Sequence, residues 1–145
     1  MLKIYIAGPL FSEADQAQRY KEGKLLREAG YSVFNPVEQP FNTHKEKLPT
    51  PREIFLNDYQ AVKECDVVVA DLHGYDEGVV AEIGLAYALG KRIVAVDSDI
   101  RLATANRYEI PTYGMNHFLL GMLQENGCSL LRHFADALDF LKTLS

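Results

Sequence analysis

A chain of 145 residues, 48% of them hydrophobic, suits one domain spanning 1–145 around a single core. Its 15 basic and 20 acidic residues leave a net charge of -5 with no basic run, which argues against nucleic acid or an anionic membrane as partner and favours a small neutral or cationic ligand. Cys65 and Cys128 are far apart and outside any metal or redox spacing, so a reduced, cytoplasmic protein is expected.

The chain opens on "LKIYIA", a strand-like run broken at once by Gly8 and Pro9, too short for a signal peptide or a membrane helix. A helical stretch from Glu13 to Ala29 comes next, then the strand-like "YSVFN". A second helix is expected from Arg52 to Glu64, before "DVVVAD", and a third from Gly78 to Leu89, before "RIVAVD". Later come "CSLL" and a closing helix from Phe134. Strands alternating with helical crossovers predict a flavodoxin-like α/β fold: a doubly wound five-stranded parallel sheet with helices on both faces. In such a sheet, ligands sit beyond the carboxyl ends of the strands.

The segments just after the strands are therefore the place to look for a site. They are "AGPLF" (Ala7 to Phe11), "NPVEQPFN" (Asn35 to Asn42), "DLHGYDEG" (Asp71 to Gly78) and "DSDIRLATANRYEIPTYGMN" (Asp97 to Asn116), all polar and rich in turn residues. Pro40 to Glu53 is long for such a connection and is the expected lid.

Several chemistries are disfavoured because their motifs are missing. The chain has no G-x-x-x-x-G-K-[ST], no G-x-G-x-x-G after the first strand, no G-x-S-x-G and no H-E-x-x-H. His44, His73, His117 and His133 are scattered, so neither a metal nor another cofactor is expected.

Three acids stand out instead. Glu82 interrupts the otherwise apolar run of the third helix near its start, where the helix dipole favours a carboxylate. Asp76 and Gly78 precede it in the cap or loop, so both acids can face one cleft. Asp58 lies off the apolar stripe that Phe55, Tyr59 and Val62 make on the second helix. Two carboxyl groups of different exposure can hold different pKa values and so divide nucleophilic and acid/base work, as glycosyl transfer demands. Asp66 reads as the turn before the third strand, and Asp71 as a cap at its end.

With "KIYIAGPLF" at the start, Asp58 eight residues before "DVVVADL", and D-x-G-x-x-x-E-I-G from Asp76 to Gly84, the chain resembles the nucleoside 2-deoxyribosyltransferase family over nearly its whole length. The resemblance implies transfer of a 2-deoxyribosyl group between nucleobases by a retaining double displacement. Glu82 would be the nucleophile, Asp58 the acid and base toward the departing and incoming bases, and Tyr5 the residue orienting Glu82. It further implies that Asp76, Gly8 and Gly78 line the substrate, and that Gln39 reads the base edge. Asn116, in "YGMNHF", resembles an Asn that reaches from a neighbouring subunit to the sugar 5'-hydroxyl, which would make the protein a homo-oligomer with shared active sites. The implied partners are 2'-deoxyribonucleosides and free purine or pyrimidine bases, as in nucleotide salvage.

Two alternatives remain at this level. Related enzymes hydrolyse 2'-deoxynucleoside 5'-monophosphates, but Asp76 and Glu77 stand where those resemble Ser-containing turns, and two carboxylates would repel a phosphate. A non-catalytic nucleotide-binding module is the rival from another class. A signalling receiver domain shares the fold and an acid at the position of Asp71, but "AGPLF" and "CSLLRH" provide neither its acidic pair nor its late Lys.

Overall fold

The structure, a computed structural model, describes residues 1–40, 49–101, 114–128 and 130–144. Strands β1 (Lys3–Ala7), β2 (Ser32–Phe34), β3 (Val67–Asp71), β4 (Arg92–Val96) and β5 (Leu130–Leu131) form one parallel sheet in the order β2-β1-β3-β4-β5. Helices α1 (Glu13–Glu28), α2 (Pro51–Glu64), α3 (Glu77–Ala88), α4 (His117–Glu125) and α5 (Phe134–Lys142) cover both faces. The order turns back beside β1, the switch point at which a doubly wound sheet opens a crevice. The helices expected from Glu13, Arg52 and Gly78 are present within one residue at each end.

Strand alternation sorts the side chains. Tyr5 is level with Val68 and Val68 with Ile93, and all three point toward α2, α3 and α4. Ile6, Val69 and Val94 are level on the opposite face, toward α1 and α5, with Leu26, Ala137 and Leu141. A sheet buried on both sides needs apolar residues at successive positions, which is why β3 reads as an unbroken Val-rich run. Each fully buried Ile, Val or Leu contributes roughly 1.5–3 kcal/mol.

The helix starts are specified locally. Ser12 caps α1 by accepting from the Asp15 N–H at 3.0 Å. Thr50 and Glu53 close a reciprocal capping box on α2, with Pro51 at its first turn. Asp66 makes the turn before β3, its carboxylate accepting the Lys3 N–H at 2.8 Å. The outer strands are short, β2 with three residues and β5 with two. Beside β4 the side chain of Asn126 stands in for a strand, accepting the Ile93 N–H at 3.1 Å and donating to the Lys91 carbonyl at 2.9 Å. Among the described residues no helix is long and apolar enough to cross a membrane.

Candidate active site

Tyr5 lies in the middle of β1, fully buried, its ring stacked on Phe34 of β2 at 5.3 Å between centroids and 9° between planes. Stacking leaves the phenol little freedom and aims its hydroxyl toward α2 and α3. The hydroxyl and Glu82 Oε2 are both cut off from solvent, and neither completes a hydrogen bond of normal geometry. They are nonetheless near enough to interact, and the phenol's proton is the group that stabilises the Glu82 carboxylate.

Glu82 sits on α3 between the core residues Val79, Ile83 and Ala86. Burial pushes its pKa up to about 7, and the negative charges of Asp58 and Asp76 add to the rise while the Tyr5 hydroxyl opposes it. The same surroundings drive the Tyr5 phenol far above its ordinary value, chiefly through burial and then through Glu82 and Asp58. Asp58, half-buried on α2, is also raised by burial, with a hydrogen bond from Asn57 at 3.2 Å acting against it. Glu82 and Asp58 thus both act on the one phenol, with Tyr5, Asp58 and Glu82 each arriving on a different element, while Asp76, at the start of Glu82's own helix, acts on Glu82.

Asp76 caps α3, its Oδ2 accepting the Val79 N–H at 3.1 Å. Gly78 explains how the cap Asp76 and Glu82, in the second turn of α3, can stand close together. A Cβ there would stand 3.1 Å from Asp76 Oδ2 and 4.0 Å from Glu82 Oε1, so the missing side chain leaves a gap between them. The turn ahead of Asp76 is pinned by Tyr75, a non-glycine residue at φ 48°, whose hydroxyl lies 2.9 Å from Asp97 Oδ2 and 2.9 Å from the Gly114 carbonyl. Burial and the Asp97 carboxylate raise the Tyr75 phenol to about 12, so it stays a donor.

Gly8, Gln39 and Asn116 complete the expected set. Gly8 is buried just past the end of β1, where a Cβ would stand 1.8 Å from Arg19 Nη1. Its lack of a side chain is therefore required by an internal packing partner. Gln39 ends the short 3₁₀ turn Pro36–Glu38 and donates to the Asn35 carbonyl at 3.4 Å. Asn116 caps α4 with its side-chain oxygen, on the Phe118 and Leu119 N–H groups, at an exposed position. It borders an apolar hollow of about 510 Å³ with Val80, Gly84, Phe118 and Met122, and no interaction joins it to Glu82 among the described residues. Most of the expected lid, residues 41–48, and 102–113 of the loop before Gly114 lie outside the described residues, as does His44.

With this geometry in view, the sequence profile described as nucleoside 2-deoxyribosyltransferase matches residues 4–132. The chain belongs to the nucleoside 2-deoxyribosyltransferase family. A conserved protein from Enterococcus faecalis V583 has a crystal structure that superposes with a TM-score of 0.84, at 30% identity, over 100% of this chain and 99% of that one. The 2-deoxyribosyltransferase of Bacillus psychrosaccharolyticus is 27% identical, with a TM-score of 0.57 over 66% of this chain and 72% of its own. A Thermofilum pendens protein, named as a candidate 2'-deoxynucleoside 5'-phosphate N-hydrolase, is 30% identical across 77% of this chain and 85% of its own. The family thus spans deoxyribosyl transfer and N-glycoside hydrolysis.

One buried group in this family member escapes a reading of its sequence. Arg19 of α1 is 1% exposed and paired with Glu22 and Asp71. Composition hints at burial only: "EADQAQRYKEG" offers few large apolar residues for a face that must meet the sheet, so polar groups had to be buried there, but nothing local names their partners.

Proposed function

We propose that this protein transfers a 2-deoxyribosyl group between the nucleobases of 2'-deoxyribonucleosides. The observation that carries the reading is Glu82, half-buried with its Oε2 cut off from water, a phenol close by and, among the described residues, no cation acting on it. A group so placed is costly to ionise, and attack on carbon is the work that a poorly solvated carboxylate does well.

In the first step the Glu82 carboxylate forms a bond to C1' as the C1'–N bond breaks, and the base leaves with the proton that Asp58 gives up. In the second, a nitrogen of the incoming base attacks C1', Asp58 takes the proton from that base, and the ester bond to Glu82 breaks. Two displacements on one carbon return the starting configuration. Without a 2'-hydroxyl to withdraw electrons, the cationic transition state is easier to reach, so carboxyl groups suffice and no cofactor is called for. The upward shift of Asp58 suits a proton donor, and Tyr5 holds the carboxylate that attacks. Asp76, Gly78 and Gly8 would line the sugar and Gln39 the base.

A homo-oligomer would bring a partner's Asn116 loop to the sugar. The exposed position of Asn116 and the apolar hollow next to it support this, as does Phe118, 83% exposed on the same helix start. The setting would be nucleoside salvage in the cytoplasm.

Hydrolysis of 2'-deoxynucleoside 5'-monophosphates is the second reading, favoured by the Thermofilum relative and opposed by Asp76 and Glu77 at the start of α3. The deciding experiment incubates the protein with 2'-deoxyinosine and adenine and follows the products by chromatography. Formation of 2'-deoxyadenosine is expected. Hypoxanthine alone, or reaction only with the 5'-monophosphate, would replace transfer by hydrolysis.

A further inference from the structure

The active-site carboxyls lie toward α2 and α3, yet the loops that carry the site are tied together from the opposite face of the sheet. Arg19 reaches across from α1 beneath the end of β1. Its Nη1 donates to the Pro9 carbonyl at 3.4 Å and fills the space a side chain at Gly8 would take. Its Nη2 donates to Asp71 Oδ2 at 2.5 Å, at the end of β3, and to Glu22 Oε1 at 2.9 Å. Asp71 in turn accepts the His73 N–H through Oδ1 at 2.9 Å, which starts the turn leading to Tyr75, Asp76 and α3. The guanidinium is held in place by Glu22, whose Oε2 is 2.9 Å from Nε, while the buried Asn35 fixes the backbone of the same residue by donating to the Arg19 carbonyl at 2.8 Å.

We propose that Arg19 is a positioning residue for the reaction: its guanidinium fixes the distance between the β1 loop and the β3 turn, and so between Tyr5 and Glu82. This rests on the reading of Glu82, Asp58 and Tyr5 as the reacting groups. Two features make Arg19 more than a structural ion pair. It spans two neighbouring strands at the ends where the crevice opens, and the planar fork serves three acceptors at once, which a lysine ammonium at the end of a flexible stem cannot do in the same geometry. Gly8 and Arg19 form one unit, since a side chain on the first would evict the second.

Arg19→Lys keeps the charge and avoids stranding Asp71 and Glu22, so it is the first variant to make, with Asp71→Asn and the double variant beside it. The expected result is a loss in kcat of about tenfold to 10²-fold per folded molecule, in the range that small misplacement of reacting groups produces, with KM nearly unchanged. The double variant should be no slower than the slower single, because both break one link. A purely structural Arg19 would lower the melting temperature and leave kcat per folded molecule intact, and that result overturns the inference, as do losses that multiply. If the wild-type protein acts on no nucleoside or nucleotide, the functional reading falls by itself. The positioning is then read from amide resonances: Arg19→Lys should shift those of Gly8, His73 and Val79, and shifts confined to α1 overturn it.

Discussion

Glu22 is buried and Glu82 half-buried on opposite faces of one sheet, and burial raises the pKa of both. Glu22 is given a guanidinium and the Gln18 amide, so its charge is compensated where it is made. Glu82 is given only a phenol, with Asp58 and Asp76 working against it. The comparison separates two uses of a buried carboxyl: a compensated one holds chain segments together, while an uncompensated one keeps its reactivity and costs the fold stability.

The sharpest way to break that contrast is Glu82→Ala. Transfer should fall on the order of 10⁶-fold, the scale seen when a covalent nucleophile is removed, while thermal unfolding should show a protein at least as stable as the parent. Near-parental turnover would remove Glu82 from the reaction. Asp58→Asn comes next, with a loss of ~10²–10⁴-fold that is larger for bases that leave poorly. Equal losses for all bases would argue against proton transfer by Asp58.

Tyr5→Phe should slow the reaction about tenfold, the worth of one hydrogen bond to a charged group, and it has a pH signature. In the proposed mechanism the reaction needs ionised Glu82, so the parental rate should decline as pH falls through about 7. The phenol lowers that pKa, so its removal should move the decline to higher pH, and an unmoved limb would show that the contact is idle. Stability runs the other way. Because the folded pKa of about 7 is above the ordinary value of 4.5, the protein should be most stable with respect to Glu82 below pH 4.5 and lose that contribution as pH rises through 7. A pH series of melting curves for the parent and Glu82→Gln should differ in slope across that window.

The smallest expected effect tests Asp76. Asp76→Ala removes a cap and should cost about 1 kcal/mol, whereas Asp76→Asn keeps the cap and should be nearly neutral in stability. If thermal unfolding shows Asn costing as much as Ala, the charge of Asp76 contributes something to the fold that the cap alone does not explain.

The parts of this arrangement written in local chemistry were readable in advance. Short β-branched runs marked each inner strand, an acid two residues ahead of a glycine marked the start of α3, and Glu82 stood out as the acid that interrupts an otherwise apolar helix. The Arg19 cluster was not readable, since its partners are three and 52 residues away and only folding brings Asp71 to it. Nor was the stack of Tyr5 on Phe34, which depends on the register of β1 with β2. The role of Gly8 changes for the same reason. The resemblance implies that Gly8 lines the substrate, and only the fold shows that a side chain there would also collide with Arg19.

The brevity of the outer strands bears on how copies of the chain behave when crowded together. A bare strand edge recruits other chains into a shared ladder, which is the usual beginning of aggregation. Here β2 offers three residues and β5 two, and the Asn126 amide occupies ladder positions beside β4 that another backbone would need. Self-association built through the sheet is thereby discouraged, and side chains on the helices become the surfaces through which ordered assembly can be selected.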